Sequence, residues 1–176
     1  MKRRDFVHSL LGLAAVPLAG CSDSTVPYFS SGGDDWRKEL ELYKPKEEWR
    51  ALLPLPAYLV LFEEETEEPH SSYLYVEVRP GSYVCAACFL PLFTSETKYE
   101  TGTGWPSFWA PIEGRLGTKP DFQLAETRIE YHCHRCGGHQ GHVFDDGPLP
   151  TGKRYCNNGL SLLFVPQGEP LPELRT

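Results

Sequence analysis

Two Cys-x-x-Cys units, Cys85-Ala86-Ala87-Cys88 and Cys133-His134-Arg135-Cys136, are separated by 44 residues in a chain of 176. The two-residue spacing lets one tight turn aim both sulfurs at the same point. Two such turns can therefore present four thiolates in a tetrahedron, about 2.3 Å from a zinc ion. The gap exceeds that of a single zinc ribbon, so each pair is expected on its own hairpin, with the metal stapling distant segments. Three other uses compete: two disulfides in an oxidising compartment, a redox dithiol, and an iron centre. No βαβ pattern surrounds either pair, and the duplication favours one structural Zn2+ per chain held by Cys85, Cys88, Cys133 and Cys136. His132 and His134 flank the second pair and read as bystanders.

The length suits one ordinary domain plus an export segment. Sixteen Gly and sixteen Pro point to short strands and many turns. Runs rich in aromatic and β-branched residues at Tyr73–Val78, Gly81–Cys85, Arg128–Cys133, Gly141–Phe144 and Ser161–Val165 predict strands, with turns at Arg79-Pro80-Gly81, Asp146-Gly147-Pro148 and Asn158-Gly159. Pro45 can open a short helix over Lys46–Leu53. The expectation is an antiparallel β domain with little helix. The acidic run from Glu63 to Glu68 reads as a solvated loop without chemistry. A formal charge of −7 argues against nucleic acid as a partner, since phosphates ask for basic patches.

The opening MKRRDFVHSLLGLAAVPLAGC has a basic start, a short apolar run and small residues before Cys21, the pattern of a signal peptide over 1–20. Leu18-Ala19-Gly20-Cys21 resembles a lipobox, with Cys21 the lipidated residue, and Arg3-Arg4-Asp5-Phe6-Val7 resembles a twin-arginine export signal. The expected organisation is a signal peptide, a lipid-anchored flexible spacer over 21–45, a domain over 46–168 and a tail over 169–176. Such a chain is exported and membrane-anchored, facing the periplasm or cell exterior.

Setting aside Cys21 and four metal ligands leaves Cys156, in Gly152-Lys153-Arg154-Tyr155-Cys156-Asn157-Asn158-Gly159. Lys153 and Arg154 can lower a thiol pKa by favouring the thiolate. His139 and His142 can supply a proton, and Gly102-Thr103-Gly104-Trp105-Pro106-Ser107-Phe108-Trp109 can wall an apolar pocket.

These motifs, with Pro91-Leu92-Phe93 and Asp146-Gly147-Pro148, come in the order found in the B-type methionine sulfoxide reductases, which the chain resembles from about Lys46 to Pro166. The resemblance implies a mainly β fold of two antiparallel sheets in a tent-like arrangement, with a few short N-terminal helices and a structural zinc remote from the active site. It implies reduction of the R-epimer of methionine sulfoxide, with oxidised proteins or peptides as substrates. It makes Cys156 the nucleophile, assigns proton transfer and water positioning to His139 and His142, and has Asn158 orient and Arg154 support the thiolate. Trp105 and Phe108 then shape the pocket for the S-methyl group.

Many such proteins carry a resolving Cys where this chain has Thr103. A sulfenic acid on Cys156 would then be reduced directly by an external, thioredoxin-like thiol. Glu67-Glu68-Pro69-His70 also departs from the usual Glu-Arg-Pro-Phe. A zinc-stapled ligand-binding module without catalysis, and a thiol–disulfide exchanger, are the competing functions.

Overall fold

The computed structural model describes residues 36–176; the expected signal peptide, the lipidation at Cys21 and the spacer up to residue 35 lie outside the described residues. No helix among the described residues is long and apolar enough to cross a membrane.

Two helices precede the sheets. Helix α1 (Lys46–Leu52) follows Pro45 and carries Glu47 and Glu48 in its first turn and Arg50 in its last, both favourable to the helix dipole. Pro54 bars the helical conformation at Leu53, which is extended, and a second helix, α2 (Leu55–Glu63), starts at once. The resemblance implied a few short N-terminal helices, and α2 is one whose place was not read from the sequence: Pro54 lies just before it and Pro56 in its first turn, where no amide hydrogen is missed. It buries Ala57, Tyr58, Val60, Leu61 and Phe62, and Phe62 stacks on Trp49 of α1 at 5.0 Å.

Nine strands follow: β1 (Gly81–Cys85), β2 (Pro91–Thr94), β3 (Lys98–Tyr99), β4 (Ser107–Phe108), β5 (Leu116–Asp121), β6 (Arg128–Cys133), β7 (His139–Phe144), β8 (Arg154–Asn157) and β9 (Leu162–Pro166). They form two antiparallel sheets, β2-β1-β9 and β3-β4-β8-β7-β6-β5. The sheets meet through aromatic rings. Phe108 of β4 stacks on Phe93 of β2 at 4.2 Å and meets Tyr83 of β1 at 4.9 Å, while Phe93 also touches Tyr131 of β6 and Tyr155 of β8.

Three expectations are corrected. Tyr73–Val78 is not a strand: Tyr73–Tyr75 is a 3₁₀ turn capped by the Ser72 hydroxyl, and Tyr73, Val76 and Val78 are exposed. The acidic run is not all solvated, because Glu67 is buried. The spacer ends earlier than residue 45, since Trp36–Glu39 forms a 3₁₀ turn and the Leu42 amide donates to the Arg135 carbonyl. The C-terminal tail packs on the domain, the Arg175 amide donating to the Cys88 carbonyl.

Phe108 also moves, from the expected pocket wall to the centre of the core, because strand alternation sends it to the face opposite its neighbour Ser107. Phe108→Ala is expected to cost about 3–5 kcal/mol in a denaturant titration, as a deleted core ring does. A loss below about 1 kcal/mol would contradict the core placement.

Candidate active site and cysteine cluster

The two Cys-x-x-Cys turns have the same backbone. The Cys85 amide donates to Leu90 and the Cys133 amide to Gly138, while Phe89 donates back to Cys85 and Gly137 to Cys133, each bond 2.9 Å. Phe89 (φ 65°) and Gly137 (φ 71°) take the same left-handed conformation, which a phenylalanine adopts only at a cost. The four buried sulfurs lie within 4.8 Å of one another, with Cys85–Cys136 at 3.7 Å and Cys88–Cys133 at 3.5 Å. Sulfurs bonded to one another would be about 2.05 Å apart. Those around one tetrahedral zinc stand about 3.8 Å apart, so the donor set fits a single thiolate-binding ion. Burial pushes the Cys85 thiol well above its ordinary value, so four thiolates here need a cation to compensate them.

Arg135, inside the second turn, gathers both ends of the domain. Its Nε donates to Glu41 Oε1 at 2.8 Å and its Nη1 to the Arg175 carbonyl at 2.7 Å. Of the two histidines beside this turn, His132 is buried, 3.8 Å from Glu130, and His134 is exposed.

The second constellation lies on one rung of the six-stranded sheet. Register pairs Lys119 with Glu130, Glu130 with His142, His142 with Cys156, and Cys156 with Ser107. Residues paired across antiparallel strands share a face, about 5 Å apart, so the rung sets a cation, carboxylate, imidazole, thiol and hydroxyl in line. The rungs on either side point the other way, into the core: Val143, Tyr155 and Phe108 on one, Tyr131 on the other. A Cβ at Gly141 would sit 1.9 Å from the Cys156 carbonyl oxygen, so only glycine lets β7 approach the thiol strand this closely.

A cavity of about 180 Å³ opens at Cys156, lined by His142, Trp105, Arg154, Asn158, Thr103 and Phe144 among others. Cys156 is half-buried. Burial pushes its thiol up, opposed by the charge and hydrogen bond of Arg154 and by the hydroxyls of Ser107 and Thr103, and burial prevails. The expected lowering by Lys153 is absent: that side chain pairs with Asp145. Arg154 makes a two-pronged bond to Asp146, both arms 2.8 Å, and covers the Phe144 ring at 4.3 Å. Phe144, rather than Phe108, supplies the second aromatic wall.

His142 and His139 occupy different layers. His142 lines the cavity, with Nε2 2.8 Å from Asp121 Oδ2. His139 is buried behind it, ring to ring 5.4 Å, with Nδ1 3.4 Å from Glu130 Oε1. Asn158 is pinned: its Oδ1 accepts from the Glu67 amide at 3.0 Å and its Nδ2 donates to the Gln140 carbonyl at 3.2 Å.

Sequence reasoning missed Glu67, Asp121, Glu130, Gln140 and Asn157. The Glu67 carboxylate accepts from the Gly159 and Leu160 amides at 2.6 and 2.9 Å, and its carbonyl takes the Trp105 indole N–H at 3.1 Å. It thereby ties the indole wall to the turn after Cys156. Asn157 accepts from the buried Tyr131 hydroxyl at 2.8 Å. Gln140 reaches both centres, its Nε2 3.6 Å from Cys85 Sγ and its carbonyl holding Asn158. The alternation Arg128, Glu130, His132 between apolar residues was the available signal for a polar face on β6. None of the four clustered cysteines lines the cavity.

The model of the SelR domain matches residues 53–166. A peptide methionine sulfoxide reductase MsrB of Methanosarcina barkeri is 50% identical over 127 residues, covering 72% of this chain and 89% of that protein. One of Caulobacter vibrioides is 52% identical over 115 residues, 65% of this chain and 72% of that protein. Among solved structures, the Mis18 'Yippee-like' domain is similar over 52% of this chain and 100% of its own, with a TM-score of 0.43 and 18% identity. With the domain matched across both cysteine pairs and Cys156, and about half the residues shared with such relatives, the chain belongs to the SelR-domain family, alongside the peptide methionine sulfoxide reductases MsrB.

Proposed function

We propose that this chain reduces the R-epimer of methionine sulfoxide, in proteins or peptides, to methionine. The observation that carries this reading is the cavity in which the Cys156 thiol, the His142 imidazole and the Trp105 indole meet, within a SelR domain. A sulfoxide sulfur is a weak electrophile until its oxygen is protonated. His142 is the acid nearest the substrate, and His139 behind it serves proton transfer. The indole of Trp105 walls the S-methyl group, Asn158 orients the substrate, and Arg154 favours the thiolate over the thiol. Oxygen passes from substrate sulfur to Cys156 Sγ. The products are a thioether and a Cys156 sulfenic acid, a two-electron exchange in which the thiol is oxidised and the sulfoxide reduced.

Recycling follows from what surrounds Cys156. Thr103, not a thiol, offers it a hydrogen bond, and the other described cysteines are held in the buried cluster. An external thiol, free or on a thioredoxin-like protein, condenses with the sulfenic acid and releases water, and a second thiol frees Cys156 from the mixed disulfide. The four-cysteine cluster is assigned a structural zinc, which supplies folding free energy and takes no chemical step. The residues that precede the described domain support export and a lipid anchor at Cys21, checked by fatty-acid labelling that Cys21→Ala should abolish.

The chemistry is tested by turnover on the two separated epimers. Only the R-epimer should be consumed, and Cys156→Ser should abolish this while the fold and metal content stay intact. With one equivalent of substrate, a sulfenic-acid-specific label should tag Cys156. An unlabelled protein two hydrogens lighter would mean that a cluster cysteine resolves it. Cys136→Ser should lose one metal ion per chain and much of its solubility, because a structural metal's binding energy is part of the folding free energy. A soluble, metal-free and active variant would contradict the structural role.

A further inference from the structure

We propose that Asp121 is the positioning residue of the reaction, holding His142 through Nε2 so that Nδ1 is the nitrogen offered to the substrate oxygen. The inference rests on the reduction proposed above and adds the residue that prepares its acid. Asp121 ends β5, off the rung that carries Cys156, and does not line the cavity. Its Oδ2 stands 2.8 Å from His142 Nε2 and accepts from Arg128 Nη2 at 2.6 Å, while its Oδ1 accepts from the Gln123 amide at 2.8 Å.

An ionised carboxylate has no proton to donate, so the ring nitrogen facing it must be the one carrying hydrogen. Burial would raise the Asp121 carboxyl, but the hydrogen bonds from Gln123, His142 and Arg128 outweigh it and keep it below its ordinary value. Asp121 is therefore the anion throughout neutral pH, and neutral His142 is the Nε2–H tautomer. When the ring is protonated the second proton sits on Nδ1. That proton passes to the sulfoxide oxygen, leaving a neutral imidazole still donating Nε2–H to Asp121. Without the carboxylate the ring is free to take the other tautomer.

The charges around His142 come from four strands. Asp121 on β5 draws its pKa up. Arg128 on β6 and His139 on β7 draw it down, and burial, the largest effect, also draws it down. Glu130 on β6 and Cys156 on β8 are its cross-strand neighbours, and Arg154 lines the same cavity. The acid form is lost as pH rises through the imidazole pKa, so lowering that pKa moves the alkaline limb of the rate profile to lower pH. Asp121→Asn removes the raising charge. Arg128→Met removes a lowering one, so the two variants should move the limb in opposite directions.

Nitrogen-15 NMR of the His142 ring in the wild-type protein, without substrate, reads the tautomer independently of activity. A predominant Nε2–H signal is expected, and a predominant Nδ1–H signal would overturn the proposal whether or not the chain turns over sulfoxide. In turnover of the R-epimer, Asp121→Asn should lower kcat by about tenfold or more, with KM little changed and the alkaline limb shifted down by about one pH unit. Asp121→Glu should recover part of the rate. An unmoved limb in Asp121→Asn, or limbs moving together in Asp121→Asn and Arg128→Met, would overturn the positioning role. A wild-type protein with the expected tautomer but no turnover would instead sink the reductase reading.

Discussion

The register of the six-stranded sheet is the constraint on which both the core and the site depend. Side chains alternate along a strand, so a slip of one residue exchanges the faces. A slip in β8 would send Cys156 into the aromatic layer and turn Tyr155 out into the cavity. Gly141 guards that register, because no side chain fits between β7 and the Cys156 carbonyl. The aromatic contacts among Phe93, Phe108, Tyr131 and Tyr155 hold the opposite face in place. Packing the core and aligning the thiol with the imidazole are thus one event in folding.

The reactive face carries an uncommon amount of buried charge. Glu130 is 2% exposed, and burial alone would raise its carboxyl. His132, His139 and Lys119 reverse that and hold it far below the ordinary range, so it stays an anion. Lys119 in turn reaches Glu64 at 2.7 Å, past the end of α2. Buried charges of this kind stabilise a fold weakly, because desolvation offsets most of their attraction. Their value is in orientation: each imidazole near Cys156 has a carboxylate of its own, Asp121 for His142 and Glu130 for His139.

The cysteine cluster joins the two sheets, since Cys85 ends β1 and Cys133 ends β6. Gln140 carries the connection onward to Asn158, and Glu67 carries it from Asn158 to the Trp105 indole. Segments on either side of the matched domain close over the same region: Glu41 and Arg175 both meet Arg135, and the Arg175 guanidinium covers the strained Phe89 ring at 4.7 Å.

The cysteine spacing, the lone Cys156 and the strands β1, β6, β7 and β9 were legible in the sequence because each depends on chemistry within a few residues, whereas the short or proline-bearing β2, β3, β4, β5 and β8 were not read as strands. A Cys-x-x-Cys turn needs only its own backbone, and alternation on β6 is visible in Arg128-Ile129-Glu130-Tyr131-His132. The place of α2 was not read, although Pro54 and Pro56 sit at its start, where proline is compatible with a helix. The roles of Glu67, Asp121 and Glu130 were out of reach. Glu67 contacts residues 91 to 93 positions away, and Asp121 meets His142 across 21. Phe108 shows the same division: its sequence neighbours put it beside the pocket, and only the pleat of β4 turned it into the core. Local bonding is written in neighbouring residues, whereas the face a side chain takes, and the carboxylate that meets an imidazole, are decided by strand pairing between distant segments.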